Sequence, residues 1–151
     1  MDWGHALLTE SERLVFRRLS VFVGGWTLEA AEDICSDGEA TRPAILHLIA
    51  RLVDKSLVVA EERGQVVRYR LLETIRQYSA AKLNAAGGTV SLRRRHADWY
   101  LALAEAAEPA LTGPDQGIWS ERLEIEHDNL RAALRWATES GDTSLGLRLV
   151  L

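Results

Sequence analysis

Within the run RYRLLETIRQYS (Arg68–Ser79) the apolar repeat changes from every second residue to every third and fourth. Val67, Tyr69 and Leu71 alternate as one face of a strand, whereas Leu72, Ile75, Tyr78, Ser79 and Leu83 fall at helical spacing. A strand must therefore pass directly into a helix. Leu57-Val58-Val59-Ala60 supplies a partner strand, and Glu61-Glu62-Arg63-Gly64-Gln65 supplies a polar turn with glycine where a positive φ is easiest.

Three helical segments precede this hairpin. Thr9-Glu10-Ser11-Glu12 reads as a capping box, in which the Thr9 hydroxyl accepts from the Glu12 amide and the Glu12 carboxylate reaches back to the Thr9 amide. The helix it opens carries Leu14, Val15 and Leu19 inward, with Arg13, Arg17 and Arg18 expected to face away; Val21-Phe22-Val23 and Gly24-Gly25 end it in a short extended turn. Thr27 caps a second helix with Leu28, Ala31 and Ile34 inward, stopped by Ser36-Asp37-Gly38. Thr41 caps a third, with Pro43 tolerated in its first turn. Its residues Ile45, Leu48, Ile49, Leu52 and Val53 form an apolar stripe and leave His47, Arg51 and Lys55 on the opposite face. Three helices followed by a hairpin make a winged helix, and the third helix holds the recognition-helix position.

The helix opening near Glu73 is expected to end at Asn84–Ala86, with Gly87-Gly88 as stop and hinge. The expected division is thus a winged-helix domain over 1–87 and the start of a helical array over 88–151. Ser91 is the expected cap of a long helix carrying Leu92, His96, Trp99, Tyr100, Leu103 and Ala107, closed by Pro109 and Thr112-Gly113-Pro114. Trp119, Leu123, Leu130, Leu134 and Ala137 mark its antiparallel partner, with a break expected near Asp128-Asn129. A last helix from Thr143 ends on apolar residues without a cap, which predicts a truncated solenoid whose exposed edge favours self-association. The fold class is therefore mostly α.

Composition excludes several classes. The 151 residues are 47% hydrophobic and 26% charged, which fits neither a disordered chain nor a membrane span. Met1-Asp2-Trp3-Gly4 lacks the basic start of a signal peptide, so a cytoplasmic location is expected. The one cysteine, Cys35, sits on an apolar helix face and reads as a small buried hydrophobe. Net charge is −4, unevenly spread: residues 1–41 carry three basic and eight acidic groups, 42–78 seven and four, and 79–151 eight and ten. Only the third helix and wing are basic, a thin footprint for nucleic acid.

Catalytic patterns are missing. Lys55-Ser56 resembles only the tail of a phosphate-binding loop, because the required glycine positions are Ile49 and Asp54. His5, His47, His96 and His127 show no i, i+4 pairing, and no serine stands in G-x-S-x-G. No enzyme activity, cofactor or metal site is expected of these residues.

LTESERLVFRRLSVFVGGWTLEAAEDIC (Leu8–Cys35), LIARLVDKSLVV (Leu48–Val59), RYRLLETIRQYSAAKL, RRRHADWYLALAEAAEPAL and LEIEHDNLRAALRWA (Leu123–Ala137) together resemble the middle of actinobacterial-type transcriptional regulators with a STAND (NB-ARC-like) ATPase module, many of them called LuxR-type. The resemblance covers nearly the whole chain. It implies a winged helix followed by tetratricopeptide-like (TPR-like) helices, with ATP or ADP held by an upstream nucleotide-binding domain, and with a LuxR-type DNA-binding domain downstream in some members and a cyclase domain upstream in others. In related switches a Met-His-Asp motif at this strand-to-helix junction touches ADP phosphate. Leu71, Leu72 and Glu73 take those positions here, and leucine cannot bond phosphate. The residues read more simply with Leu72 as core and Glu73 beside the positive end of the helix.

The resemblance implies a regulatory module that couples nucleotide state to partner or effector binding, with Leu72, Glu73 and Arg76 as interdomain switch candidates. The competing function is DNA binding, with His47, Arg51 and Lys55 entering a groove and Arg63, Arg68 or Arg70 on phosphate; the weak charge argues against it. A third is protein binding through Trp99/Tyr100 and Trp119/Trp136, residues whose helical spacing reads rather as inter-helix core.

Overall fold

A computed structural model describes residues 8–37, 40–63 and 66–139, with the side chain of Arg63 outside the description. Its elements are α1 (Glu10–Leu19), β1 (Trp26–Thr27), α2 (Leu28–Cys35), α3 (Arg42–Asp54), β2 (Val59–Arg63), β3 (Val66–Arg70), α4 (Glu73–Ala86), α5 (Thr89–Ala110), α6 (Gln116–Ile125) and α7 (His127–Glu139). The architecture is mostly helical, a winged helix followed by further helices. The chain divides into two compact units between Leu92 and Arg93, five residues beyond the boundary expected after Gly87 and inside α5. The last expected helix, from Thr143, lies outside the described residues.

The capping box forms as written in the sequence. Thr9 N donates to Glu12 Oε1 at 2.8 Å and Glu12 N donates to Thr9 Oγ1 at 3.1 Å. Thr27 Oγ1 accepts from Ala30 N at 3.3 Å at the start of α2. Thr41 holds the N-cap position of α3 without a side-chain bond, and the proline in the first turn presets the backbone there. Gly87 ends α4 in the left-handed region, φ 82°. α5 begins at Thr89, two residues before Ser91, and Pro109 lies inside its last turn rather than beyond it.

The wing contains a third strand that the sequence pattern did not reveal. β1 pairs with β3 (Trp26 opposite Tyr69) and β3 with β2, giving an antiparallel sheet in the order β1-β3-β2. The turn before β1 is tight: Gly25 has φ +115°, and a Cβ there would stand 2.8 Å from the Tyr69 carbonyl oxygen. Only glycine satisfies both conditions. β2 begins at Val59 and continues through Glu61 and Glu62, residues expected in the turn, because their partners Arg68 and Val67 extend the ladder.

Val15, Phe16, Leu19, Phe22, Trp26, Ile34, Ile45, Ile49 and Leu52 form the first unit's core, all fully buried. Trp26 stacks between Phe22 at 5.3 Å and Tyr69 at 6.4 Å, tying the strand to the helices. Cys35 is buried among them. Ser79 Oγ donates to the Phe16 carbonyl at 2.7 Å and joins α4 to α1. Arg18 does not face away: its guanidinium donates to the Cys35 carbonyl at 2.7 Å and to Asp37 at 2.6 Å, supplying an acceptor's partner at the C-terminal end of α2.

The second unit buries Ala97, Tyr100, Leu101, Leu103 and Ala107 of α5 and Ala133, Trp136 and Ala137 of α7. Tyr100 and Trp136 are therefore core, as their spacing indicates. The break between α6 and α7 falls at Glu126, two residues before the expected Asp128-Asn129, with Glu126 itself buried.

Candidate functional site

The outer face of α3 follows from its inner one. Ile45, Leu48, Ile49 and Leu52 are buried against the helices, which leaves Pro43, Leu46, His47, Ala50, Arg51 and Asp54 exposed in one continuous stripe. At its N-terminal end Arg42 pairs with Asp33 of α2 at 2.6 Å.

Lys55 is not part of that stripe in function. Its Nζ donates to Glu12 Oε1 at 2.8 Å, across 43 residues of sequence, while its side chain remains 40% exposed. Glu12 is 1% exposed. Burial pushes its carboxyl up, but the bonds from Lys55 and Thr9, with the lysine's charge, outweigh burial and hold it below the usual range. The nominated DNA contact thus compensates a buried carboxylate and fastens the end of α3 to the start of α1.

The wing behaves similarly. Arg70 Nε donates to Glu61 Oε1 at 2.7 Å across the β2–β3 ladder. Arg68 is half-buried, its Nε 3.3 Å from where a Gly25 Cβ would stand. Arg63 closes β2 opposite Val66, and its side chain lies outside the described structure. His47 and Arg51 remain as exposed basic groups on α3, with Asp54 one turn beyond Arg51 and the exposed Leu46 and Ala50 beside them.

At the strand-to-helix junction the expected core leucine is displaced by one residue. Leu71 is buried, whereas Leu72 is 45% exposed. Leu72 occupies the N-cap in extended conformation, where β3 has already delivered Leu71 inward and successive side chains alternate. Glu73 accepts from Arg76 twice, at 2.7 and 3.0 Å, and from Gln77 at 3.4 Å. The Arg76 bonds hold the Glu73 carboxyl below its ordinary range against the effect of burial, and Glu73 in turn raises the Arg76 guanidinium. The switch candidates therefore form a local surface pair beside an exposed leucine, with α4 anchored beneath by Ser79.

A polar relay in the second unit escaped sequence reading. His96 Nε2 lies 3.1 Å from Asn129 Oδ1, and Asn129 Nδ2 donates to Glu126 Oε1 at 3.4 Å; all three residues are buried. A carboxylate only accepts, so the Asn129 amide nitrogen faces Glu126, its oxygen faces His96, and His96 Nε2 carries the proton. Burial, reinforced by nearby Arg93 and opposed by the Asn129 bond, lowers the imidazole to about 4. The available signal was a histidine on the apolar stripe of α5 facing an asparagine on that of α7.

Among the described residues no group of three or more His, Cys, Asp or Glu side chains is placed to hold a metal ion, and no helix is long and apolar enough to cross a membrane.

Comparison with known sequences places these features in context. Candidate HTH-type transcriptional regulators of Mycobacterium tuberculosis (strain ATCC 25618 / H37Rv) and Mycobacterium bovis (strain ATCC BAA-935 / AF2122/97) are each 42% identical over 149 residues, which is 99% of this chain and 17% of theirs. An uncharacterized protein of the same M. tuberculosis strain is 37% identical over 97 residues, 64% of this chain and 25% of that protein. The chain spans about a sixth of the length of the first two relatives. No solved structure matches it. A sequence model of the winged helix-turn-helix domain matches residues 8–84, from the buried Leu8 through α4, and the chain belongs to that family.

Proposed function

We propose that this chain is a non-catalytic regulatory module of a multidomain transcriptional regulator, whose winged helix docks on a neighbouring domain of the same protein rather than reading DNA. One observation carries the reading: Lys55 and Arg70, two of the six basic groups a DNA-binding winged helix would use here, are held in ion pairs with Glu12 and Glu61. The α3 face they leave combines Leu46 and Ala50 with two basic groups and one acidic one, a composition suited to protein. The names and greater length of the mycobacterial relatives support a regulatory parent.

The resemblance to STAND regulators extends the proposal. The neighbour is an upstream nucleotide-binding domain carrying ATP or ADP, and the helices after the winged helix, TPR-like in this reading, receive a protein or effector. Because leucine replaces the phosphate-contacting histidine, the junction acts through contact between domains: Leu72 supplies exposed apolar surface and the Glu73–Arg76 pair its polar border. Nucleotide state can shift the docked population only through contacts that differ between the two arrangements. Charge reversal at both Glu73 and Arg76 in the full-length parent is expected to raise basal transcription and hasten ADP release. Unchanged output and unchanged ADP retention would remove the proposal.

The family match favours a second reading, direct DNA binding through His47 and Arg51 with the wing on the backbone. It requires Arg51→Ala to abolish sequence-selective binding.

A further inference from the structure

The sequence from Trp119 to Glu139 contains no glycine or proline, yet the helix breaks within it at one residue, Glu126. Glu126 stands at φ −91°, ψ 8°, about 30° and 50° from helical values. Across it the helical hydrogen-bond spacing persists: Glu126 N donates to the Arg122 carbonyl at 3.1 Å, and Leu130 N to the Glu126 carbonyl at 2.9 Å. No residue is inserted, so a change of backbone angle at Glu126 alone would join α6 and α7 into one helix over 116–139 without a shift of register. Local propensity favours continuity there, and the break is imposed by tertiary structure.

The side chain at the joint supplies the constraint. Glu126 is 4% exposed, and its carboxylate accepts from Asn129, whose amide oxygen faces His96 of α5. With α7 held in place, rotation about the Glu126 Cα–C bond carries α6 and the Glu126 side chain together. A carboxylate bonded inside the unit therefore fixes the angle at which α6 leaves α7. The desolvation of that carboxylate is offset only while its bonds last, and the Asn129 bond is long, 3.4 Å. α6 itself resists little: it buries no residue, and Trp119 and Leu123 alone are half-buried. We propose that α6 and α7 form a two-state element, latched in the bent form by Glu126 through Asn129 and His96, and converting to one continuous helix when the latch opens. A partner of the second unit that meets one form better than the other shifts the balance between them. The device does not depend on whether the winged helix meets protein or DNA.

Nitroxide labels on Gln116→Cys and Thr138→Cys, both exposed positions, test the proposal by pulsed dipolar spectroscopy of the 151-residue chain, in which Cys35 is buried. A continuous helix from 116 to 138 sets the labelled backbone positions about 33 Å apart, and the bent form sets them closer. The parental chain is expected to show chiefly the shorter distance. Glu126→Ala, which removes the latch, is expected to raise the population near the longer one by about tenfold. Glu126→Gln keeps an oxygen that accepts from Asn129 and is expected to stay bent. If circular dichroism shows that Glu126→Ala does not fold, Asn129→Asp, which sets a second carboxylate against Glu126, is expected to give the same lengthening. A distance unchanged in the folded latch variants overturns the proposal, as does Glu126→Gln lengthening it as far as Glu126→Ala.

Discussion

The two units reach stability by different means. The winged helix closes around large apolar side chains, with Trp26 sandwiched between Phe22 and Tyr69. Its buried carboxylate, Glu12, is matched at once by Lys55 and the Thr9 amide. The second unit buries alanines along with Tyr100, Leu101 and Trp136, places the His96–Asn129–Glu126 relay in its interior, and leaves α6 with no buried residue. The first is thus built around a large apolar core, and the second around smaller side chains and a buried polar relay. A buried polar relay fixes a unique arrangement of helices, but it makes that arrangement sensitive to a single proton.

The sharpest way to break the contrast is Trp26→Ala. Removal of this fully buried ring is expected to destabilise the winged helix by about 3–5 kcal/mol. Denaturant unfolding followed by amide exchange should show the loss in residues 8–92 before residues 93–139; equal loss in both would mean that the units do not differ as described.

Acid should act in the opposite direction. The His96 imidazole is lowered from 6.5 to about 4, so the unfolded chain binds a proton that the folded unit refuses between those values. Stability is complete above pH 6.5 and falls on acidification to pH 4, by a sum that the shift bounds at about 3 kcal/mol. Glu12, lowered from 4.5, contributes stability that is present above pH 4.5 and lost only as pH falls through its still lower folded value. Amide exchange across this range is expected to open α5 and α7 first, and His96→Phe should flatten the dependence.

A smaller effect is expected for Lys55→Ala, which leaves Glu12 buried without its cation. Full burial of such an orphan costs about 3–5 kcal/mol, and the partial exposure of Lys55 reduces the expectation to about 2 kcal/mol. Glu12→Gln in that background should recover part of the loss, a rescue that a thermal melt can read. Thr9→Ala, which removes one cap bond from α1, is expected to cost about 1 kcal/mol.

Local chemistry was legible in the sequence, and long-range pairing was not. The Thr9–Glu12 box, the Thr27 cap, the Gly87 stop and the change of period at Leu71 each depend on residues within one or two turns of each other. Lys55 and Glu12 lie 43 residues apart, so the stripe His47–Arg51–Lys55 gave no sign that its last member would turn to α1. β1 is only two residues long and carries no alternation to detect. Leu72 was misplaced because strand and helix rules overlap where β3 meets α4. Arg18 looked solvent-facing by helical angle, yet a long side chain can reach the end of a neighbouring helix. At the candidate site, sequence identified the exposed His47 and Arg51, and only the fold distinguished them from Lys55 and Arg70.

The central claim is that these intramolecular pairs leave the winged helix too few basic groups to hold DNA. Fluorescence anisotropy of the chain titrated into mixed-sequence duplexes over a salt series measures the number of phosphates engaged. Weak binding with a log–log salt slope no steeper than about −2, little changed by Arg51→Ala, is the predicted result. Tight binding with a slope of about −5 or steeper, abolished by Arg51→Ala, would contradict the account and establish the winged helix as a DNA reader.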